Sequence, residues 1–316
     1  MKVLEQKFLD DLKNDDGLLN PILKRVKQDH TLLLAIRENY INIYYRGGSI
    51  LKVEKSGYGY TASFDEEYNK NAESALDLPP RSVGNQDVAR KWVDKFQSLK
   101  LVMDFFFSKH GKAEREFQQL VVRENNYSSI SNESEYFIAD IECSDSDINA
   151  RYDMLAIQWL ANRRKNGSNC KAALIEMKYG DGSLDGTSGI MKHIQDMAAL
   201  IKDKERYGEL LNAMETKFDQ LVQLDLLHCN SSAKGTKVKL DVDDKPEVIF
   251  ILANHNPRST KLKTLLLDHD FQISEMSGCF DLKFFVSTFA GYGLHSKCLL
   301  GLDEIKSQLS ALDRRG

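Results

Sequence analysis

The spacing of apolar residues along this chain is helical at first, then strand-like, then helical again, all within the first 110 residues. Val3, Leu4, Phe8 and Leu12 recur at roughly helical intervals, and the apolar pattern resumes over 19–26 after the break at Asp15-Asp16-Gly17. Residues 40–45 and 50–54 are β-rich and flank Arg46-Gly47-Gly48-Ser49, which predicts a hairpin, with 60–64 as a third strand. The polar stretch 69–87 carries Pro79-Pro80 and predicts a linker or boundary. Helical periodicity returns over 88–108, with Val93, Phe96 and Leu99, and stops at His110-Gly111. A second helix starts near Lys112, carries the stripe Ala113, Phe117, Leu120 and Val121, and closes at Asn125-Asn126.

The period then changes again. Residues 136–143, 151–160 and 171–179 are short apolar segments between polar loops and predict three strands. Ile190, Ile194, Met197, Ala198 and Ile201 line one face of a helix, and a longer helical pattern covers about 207–227. The continuous apolar run within 247–255 predicts a buried strand, 262–267 a helix, 284–290 a strand and 302–312 a terminal amphipathic helix. From residue 112 the order is helix, three strands, helix, strand, an αβββαβ core. It predicts an α/β fold with a mixed β-sheet flanked by helices. The expected division is an N-terminal helix and β-hairpin region over 1–86, then a second domain over 87–316 with a C-terminal α/β extension.

Composition narrows the class without naming a function. With 316 residues, 42% hydrophobic and 28% charged, the chain can bury a full core as one large domain or two ordinary ones. No apolar run is long enough to cross a bilayer, and the acids in MKVLEQKFLDDLKNDD do not suit an export signal, so a soluble cytoplasmic protein is expected. The five cysteines (143, 170, 229, 279 and 298) are odd in number and form no CxxC pair, which predicts buried free thiols. A net charge of −4 argues against a protein that coats DNA, but not against an enzyme whose metal site is itself acidic.

The candidate chemistry lies in the three strands. Glu176 and Lys178 stand two apart in LIEMK and therefore share a strand face; Asp153, in RYDMLAI, lies across from them if the two strands are hairpin neighbours. Two carboxylates are hard oxygen ligands for Mg²⁺ or Mn²⁺, and a nearby ammonium stabilises an attacking hydroxide or a pentacovalent phosphorus. Taken alone, an aspartate followed by ExK also fits a solvated salt pair. Set in the helix, three strands, helix, strand order, RYDMLAI and ALIEMKYG resemble the PD-(D/E)xK nuclease superfamily over about residues 112–255, with Tyr152 where the motif name has proline. The resemblance implies a restriction-endonuclease-like fold and a Mg²⁺-dependent DNA endonuclease that hydrolyses phosphodiester bonds by metal-activated water. It assigns Asp153 and Glu176 as metal ligands and Lys178 as the residue assisting the water.

Further positions follow from the neighbouring elements. Glu114 and Glu116 flank the apolar stripe of the preceding helix and are candidates for an additional metal ligand, with a solvated helix face as the alternative. His193 lies on the buried side of the helix after LIEMK, as a catalytic contact or a satisfied core histidine. Asp140 and Glu142 share one face of the first strand and would extend the acidic cluster. Arg163, Arg164 and Lys165 form a basic turn that grips a nucleic-acid backbone or is a solvated tip. The N-terminal region, with Arg37, Arg46 and Lys52, is a target-recognition or dimerisation module, or an extension of the core; a homodimer is compatible with the former. The alternative function is non-catalytic nucleic-acid binding on the same fold.

Overall fold

The structure, a computed structural model, describes residues 3–57, 59–70, 76–127, 134–145, 150–164, 169–229, 237–255, 259–287, 294, 296 and 299–313. The chain forms two compact units, Met1–Arg123 with Asp219–His228, and Glu124–Phe218 with Cys229–Gly316. Both combine helices with a β-sheet, so the α/β class expected from the pattern holds. Among the described residues no helix is long and apolar enough to cross a membrane.

The first unit opens with α1 (Gln6–Lys13) and α2 (Asn20–Gln28). An antiparallel sheet follows, β1 (Leu32–Ile36), β2 (Tyr40–Tyr45), β3 (Gly48–Ser56), β4 (Gly59–Ser63) and β5 (Ser82–Val83), in that spatial order. All five residues of β1 are buried, which removes the alternation that would have marked it as a strand. The β2–β3 hairpin turns on Arg46 and Gly47, both at positive φ (49° and 74°), as a two-residue type I′ turn requires. A Cβ on Gly47 would also meet Arg115 Cβ at 2.5 Å.

The short helix α3 (Glu66–Lys70) leads to α4 (Gln86–Lys109), whose first turn is capped by Asn85 accepting from Val88 N–H. Helix α4 buries Trp92, Phe96, Leu99 and Met103, touches α2, α3, β3 and β5, and donates from Trp92 Nε1 to the Pro80 carbonyl at 3.1 Å. The expected 86/87 boundary therefore lies inside this unit, because α4 supplies part of the core over which the hairpin strands fold. Helix α5 (Ala113–Asn126) begins here and ends in the second unit.

The second unit holds β6 (Tyr136–Asp145), β7 (Ala150–Gln158), β8 (Lys171–Tyr179), α6 (Ile190–Lys202), α7 (Lys204–Gln223) as far as Phe218, its last turn belonging to the first unit, then β9 (Glu247–Ala253), α8 (Lys261–Asp268), α9 (Asp270–Met276), β10 (Asp281–Ser287), β11 (Leu300–Gly301) and α10 (Leu302–Asp313). Its six strands lie in the order β11-β10-β9-β8-β7-β6. The meander β6–β7–β8 is antiparallel, β8–β9 and β9–β10 are parallel, and β10–β11 is antiparallel. A parallel β8–β9 pair needs a long crossover, which α6 and α7 provide. Every residue of β9 is buried, consistent with a strand inside the sheet that is covered on both faces. The expected strand over 284–290 begins earlier, at Asp281, and its last three residues lie outside the described residues.

Candidate functional site

The antiparallel register of β7 and β8 pairs Leu155 with Leu174 and Met154 with Ile175. One step further the same register sets Asp153 across from Glu176. There the ladder gives way to a side-chain contact: Asp153 Oδ2 accepts from the Met177 backbone N–H at 2.8 Å. Residues opposite each other in a sheet share a face, and so do Glu176 and Lys178 along β8. The three sequence-predicted residues therefore lie together near the C-terminal end of β8.

All three are buried, with exposures of 8% for Asp153, 3% for Glu176 and 4% for Lys178. Lys178 Nζ donates to Glu176 Oε1 at 2.9 Å and to the Ser188 carbonyl at 2.8 Å. Helix α6 brings His193 to the same carboxylate: its Nε2 stands 3.0 Å from Glu176 Oε1. Burial opposes ionisation of Glu176, yet His193 and Lys178 hold its carboxyl below the ordinary value of 4.5. The second carboxylate oxygen, Oε2, is buried and has no hydrogen-bond partner among the described residues.

Among the described residues no three His, Cys, Asp or Glu side chains converge to hold a metal ion. The donor set still fits Mg²⁺ or Mn²⁺, which take a small number of carboxylates and fill other positions with water and phosphate oxygens. Asp153 and Glu176 are the residues that would hold the ion, and the unpartnered Glu176 Oε2 is the oxygen best placed by its lack of a donor.

The other candidates fare differently. Glu142 falls across β7 from Asp153 by register, but it takes a positive φ of 48° and its carboxylate pairs with Arg151. Asp140 does not extend the acidic cluster: a register shift between Ile138 and Asp140 marks its position, and its carboxylate is neutralised by Lys217 of α7. Glu116 belongs to the first unit, where Arg46 grips both its oxygens at 3.0 and 3.3 Å. Glu114 lies on the same turn of α5, also in the first unit.

The basic turn is reduced to one exposed cation among the described residues. Arg164 is only 3% exposed; its Nε donates to the Trp159 carbonyl at 3.0 Å, its guanidinium also donates to the Ser134 carbonyl, and it lies over the Phe137 ring. It closes the loop after β7 rather than facing solvent. Arg163 is exposed, and Lys165 lies outside the described residues.

Two polar groupings escaped the sequence pattern. Glu247, at the start of β9, accepts from Tyr136 Oη at 2.6 Å, Gln158 Nε2 at 2.9 Å and Lys283 Nζ at 2.5 Å. Its register partner is Ala173, so it faces the side of the sheet opposite Glu176. The second is a contact between Asp181 and His255, which follow β8 and β9. Their partners are dozens of residues apart in sequence, so no local spacing announces them. Of the five cysteines, Cys143 and Cys170 are buried, Cys229 and Cys279 are partly buried, none of these four is in a disulfide among the described residues, and Cys298 lies outside them. No family model, curated protein or solved structure matches this chain.

Proposed function

We propose that this chain is a metal-dependent nuclease of restriction-endonuclease-like fold that hydrolyses DNA phosphodiester bonds at Asp153, Glu176 and Lys178. The carrying observation is Glu176 itself, a carboxylate across from Asp153 that is held on one oxygen by Lys178 and left unpartnered on the other. Burying an ionised group with an unsatisfied oxygen is unfavourable, and a cation relieves it. When bound, a divalent ion would supply a water of lowered pKa and screen phosphate charge. The chain's own residues do the rest. Asp153 is oriented by the Met177 N–H, so its carboxylate is preorganised. Lys178 carries a fixed positive charge where negative charge develops on the attacking and phosphoryl oxygens. His193 lies beside Glu176 and holds it ionised.

The test is single-turnover cleavage of linear, supercoiled, branched and single-stranded DNA with Mn²⁺. The wild type cuts at least one of them, and Lys178→Ala cuts it about a hundredfold more slowly, the scale of losing one electrostatic stabiliser. Equal rates for both proteins refute the assigned site. The second reading, a non-catalytic nucleic-acid-binding protein, is favoured by one feature: Lys178 already sits against Glu176 without any ion, with the His193 ring beside the same oxygen. Binding to the panel without cleavage of any member would select it.

A further inference from the structure

Strands β8 and β9 run parallel and stop level with each other, Tyr179 paired with Ala253. One more backbone bond, Gly180 N–H to the Ala253 carbonyl at 2.9 Å, extends the pair. Both chains then turn through left-handed residues, Gly180 at φ 69° and Asn254 at φ 52°. Asparagine is, after glycine, among the residues that take this conformation most readily, so both positions suit a sharp turn. The two turns bring Asp181 and His255 together, His255 Nδ1 standing 3.0 Å from Asp181 Oδ1. The His255 side chain is only 4% exposed, and among the described residues its Nε2 is buried with no hydrogen-bond partner. A leucine would fill such a space without leaving a ring nitrogen unsatisfied, so packing alone does not account for a histidine here.

Asp181 opens the loop that joins β8 to α6, and that loop touches the candidate site. Ser183 Oγ donates to the Gly180 carbonyl at 2.9 Å, Leu184 is buried, and its carbonyl accepts from Ile190 N–H at 2.9 Å. The chain closes so tightly that a Cβ on Gly189 would meet the Asp185 carbonyl carbon at 2.6 Å. At its far end the Ser188 carbonyl accepts from Lys178 Nζ, and α6 starts two residues later with His193 in its first turns.

We propose that Asp181 and His255 are positioning residues for Lys178: their contact ties the loop to β9, and the loop, through the Ser188 carbonyl, sets the Lys178 ammonium beside Glu176. The proposal rests on Lys178 being the lysine of the site reading, but its test does not use catalysis. The measurement is the rate of lysine acetylation by an amine-reactive ester, read residue by residue by mass spectrometry. Exposed Lys204 and Lys239 serve as references, and buried Lys217 monitors the fold.

In Asp181→Asn and in His255→Gln, Lys178 is expected to label up to about tenfold faster, the factor matching one lost charge-assisted hydrogen bond that held the loop closed. Lys217 stays protected, as a merely structural loss would expose both lysines together. Asp185→Ala, in the same loop but paired at the surface with Lys261, leaves Lys178 unchanged. Overturning results are Lys178 labelling at the wild-type rate in both variants, or rising only in step with Lys217. A selective rise in a protein that cuts no DNA would keep the coupling and remove the nuclease reading.

Discussion

Lys217→Met tests how the second unit tolerates charge in its interior. The Lys217 and Asp140 side chains are 5% and 1% exposed and paired, and Asp140 Oδ1 also accepts from the Ile141 N–H at 2.8 Å. Two unit charges about 4 Å apart attract by about 4 kcal/mol at an effective dielectric of about 20. Removing the lysine forfeits that attraction and leaves a carboxylate buried with its backbone donor still in place. The expected loss is roughly 3–5 kcal/mol, the range for breaking a buried pair from one side. The double variant Asp140→Leu/Lys217→Met should recover most of this, since two well-packed apolar side chains replace a desolvated pair at little net cost. Urea denaturation of wild type, single and double variants measures both quantities. A single-variant loss under about 1 kcal/mol, the value of an exposed pair, would refute the buried-pair assignment and return Asp140 to the acidic cluster.

Three further outcomes follow. Mn²⁺ should raise the melting temperature of the wild type by linkage and leave Asp153→Ala unmoved; equal shifts in both would remove the metal from this site. Arg163→Ala should weaken DNA binding without sequence preference and lower the salt slope by about one unit, whereas Arg164→Met should mainly destabilise the fold, by roughly 2 kcal/mol for the lost buried donors; filter binding across a salt series and denaturation separate the two. In the first unit, burial opposes ionisation of Asp29, but bonds from Lys100 and Thr31 hold its carboxyl below 3.8. A depressed folded-state pKa adds stability that is present above the unfolded value and lost as pH falls through the folded one. The stability gap between wild type and Asp29→Asn should therefore close as pH falls below about 4, and a gap that widens there would contradict the assignment.

What the sequence shows of this fold follows from how far apart the interacting residues lie. The strands β6, β7 and β8 stand out as short apolar segments between polar loops and the helix α6 carries its own period, and the pleat of a strand places Glu176 and Lys178 of LIEMK on one face. Strand β1 is buried throughout and leaves no alternation to detect, and β5 has only two residues inside a polar stretch. The basic turn misleads because charge suggests exposure, while Arg164 satisfies two carbonyls inside the unit. Asp140 reads as an acid beside the site because its partner, Lys217, is supplied by a helix 77 residues away. Asp181 and His255 are 74 residues apart and meet only because two parallel strands end at the same level.

The sheet supplies its own comparison for the meaning of Glu176. Glu247 is equally buried, on the opposite face, and both of its oxygens are used: Oε2 by Tyr136, and Oε1 by Gln158 and Lys283. That is how a buried carboxylate is accommodated when it serves only the fold. Ala173, its small register partner on β8, leaves room for Tyr136 and Gln158 to reach it. Glu176, three residues along β8 from Ala173 and facing the other way, receives Lys178 on Oε1 with His193 beside that same oxygen, while among the described residues nothing donates to Oε2. Both glutamates face the same penalty for charge in an apolar sheet, and an amide or hydroxyl from the neighbouring strand would satisfy the second oxygen of Glu176 as it does that of Glu247. Instead its neighbours across the sheet are Phe250, which cannot donate, and Asp153, a second acid. An acid beside an unsatisfied acid is the least favourable choice for an empty interior and a favourable one for a cation, and this asymmetry is what supports assigning binding chemistry to one face and structure to the other.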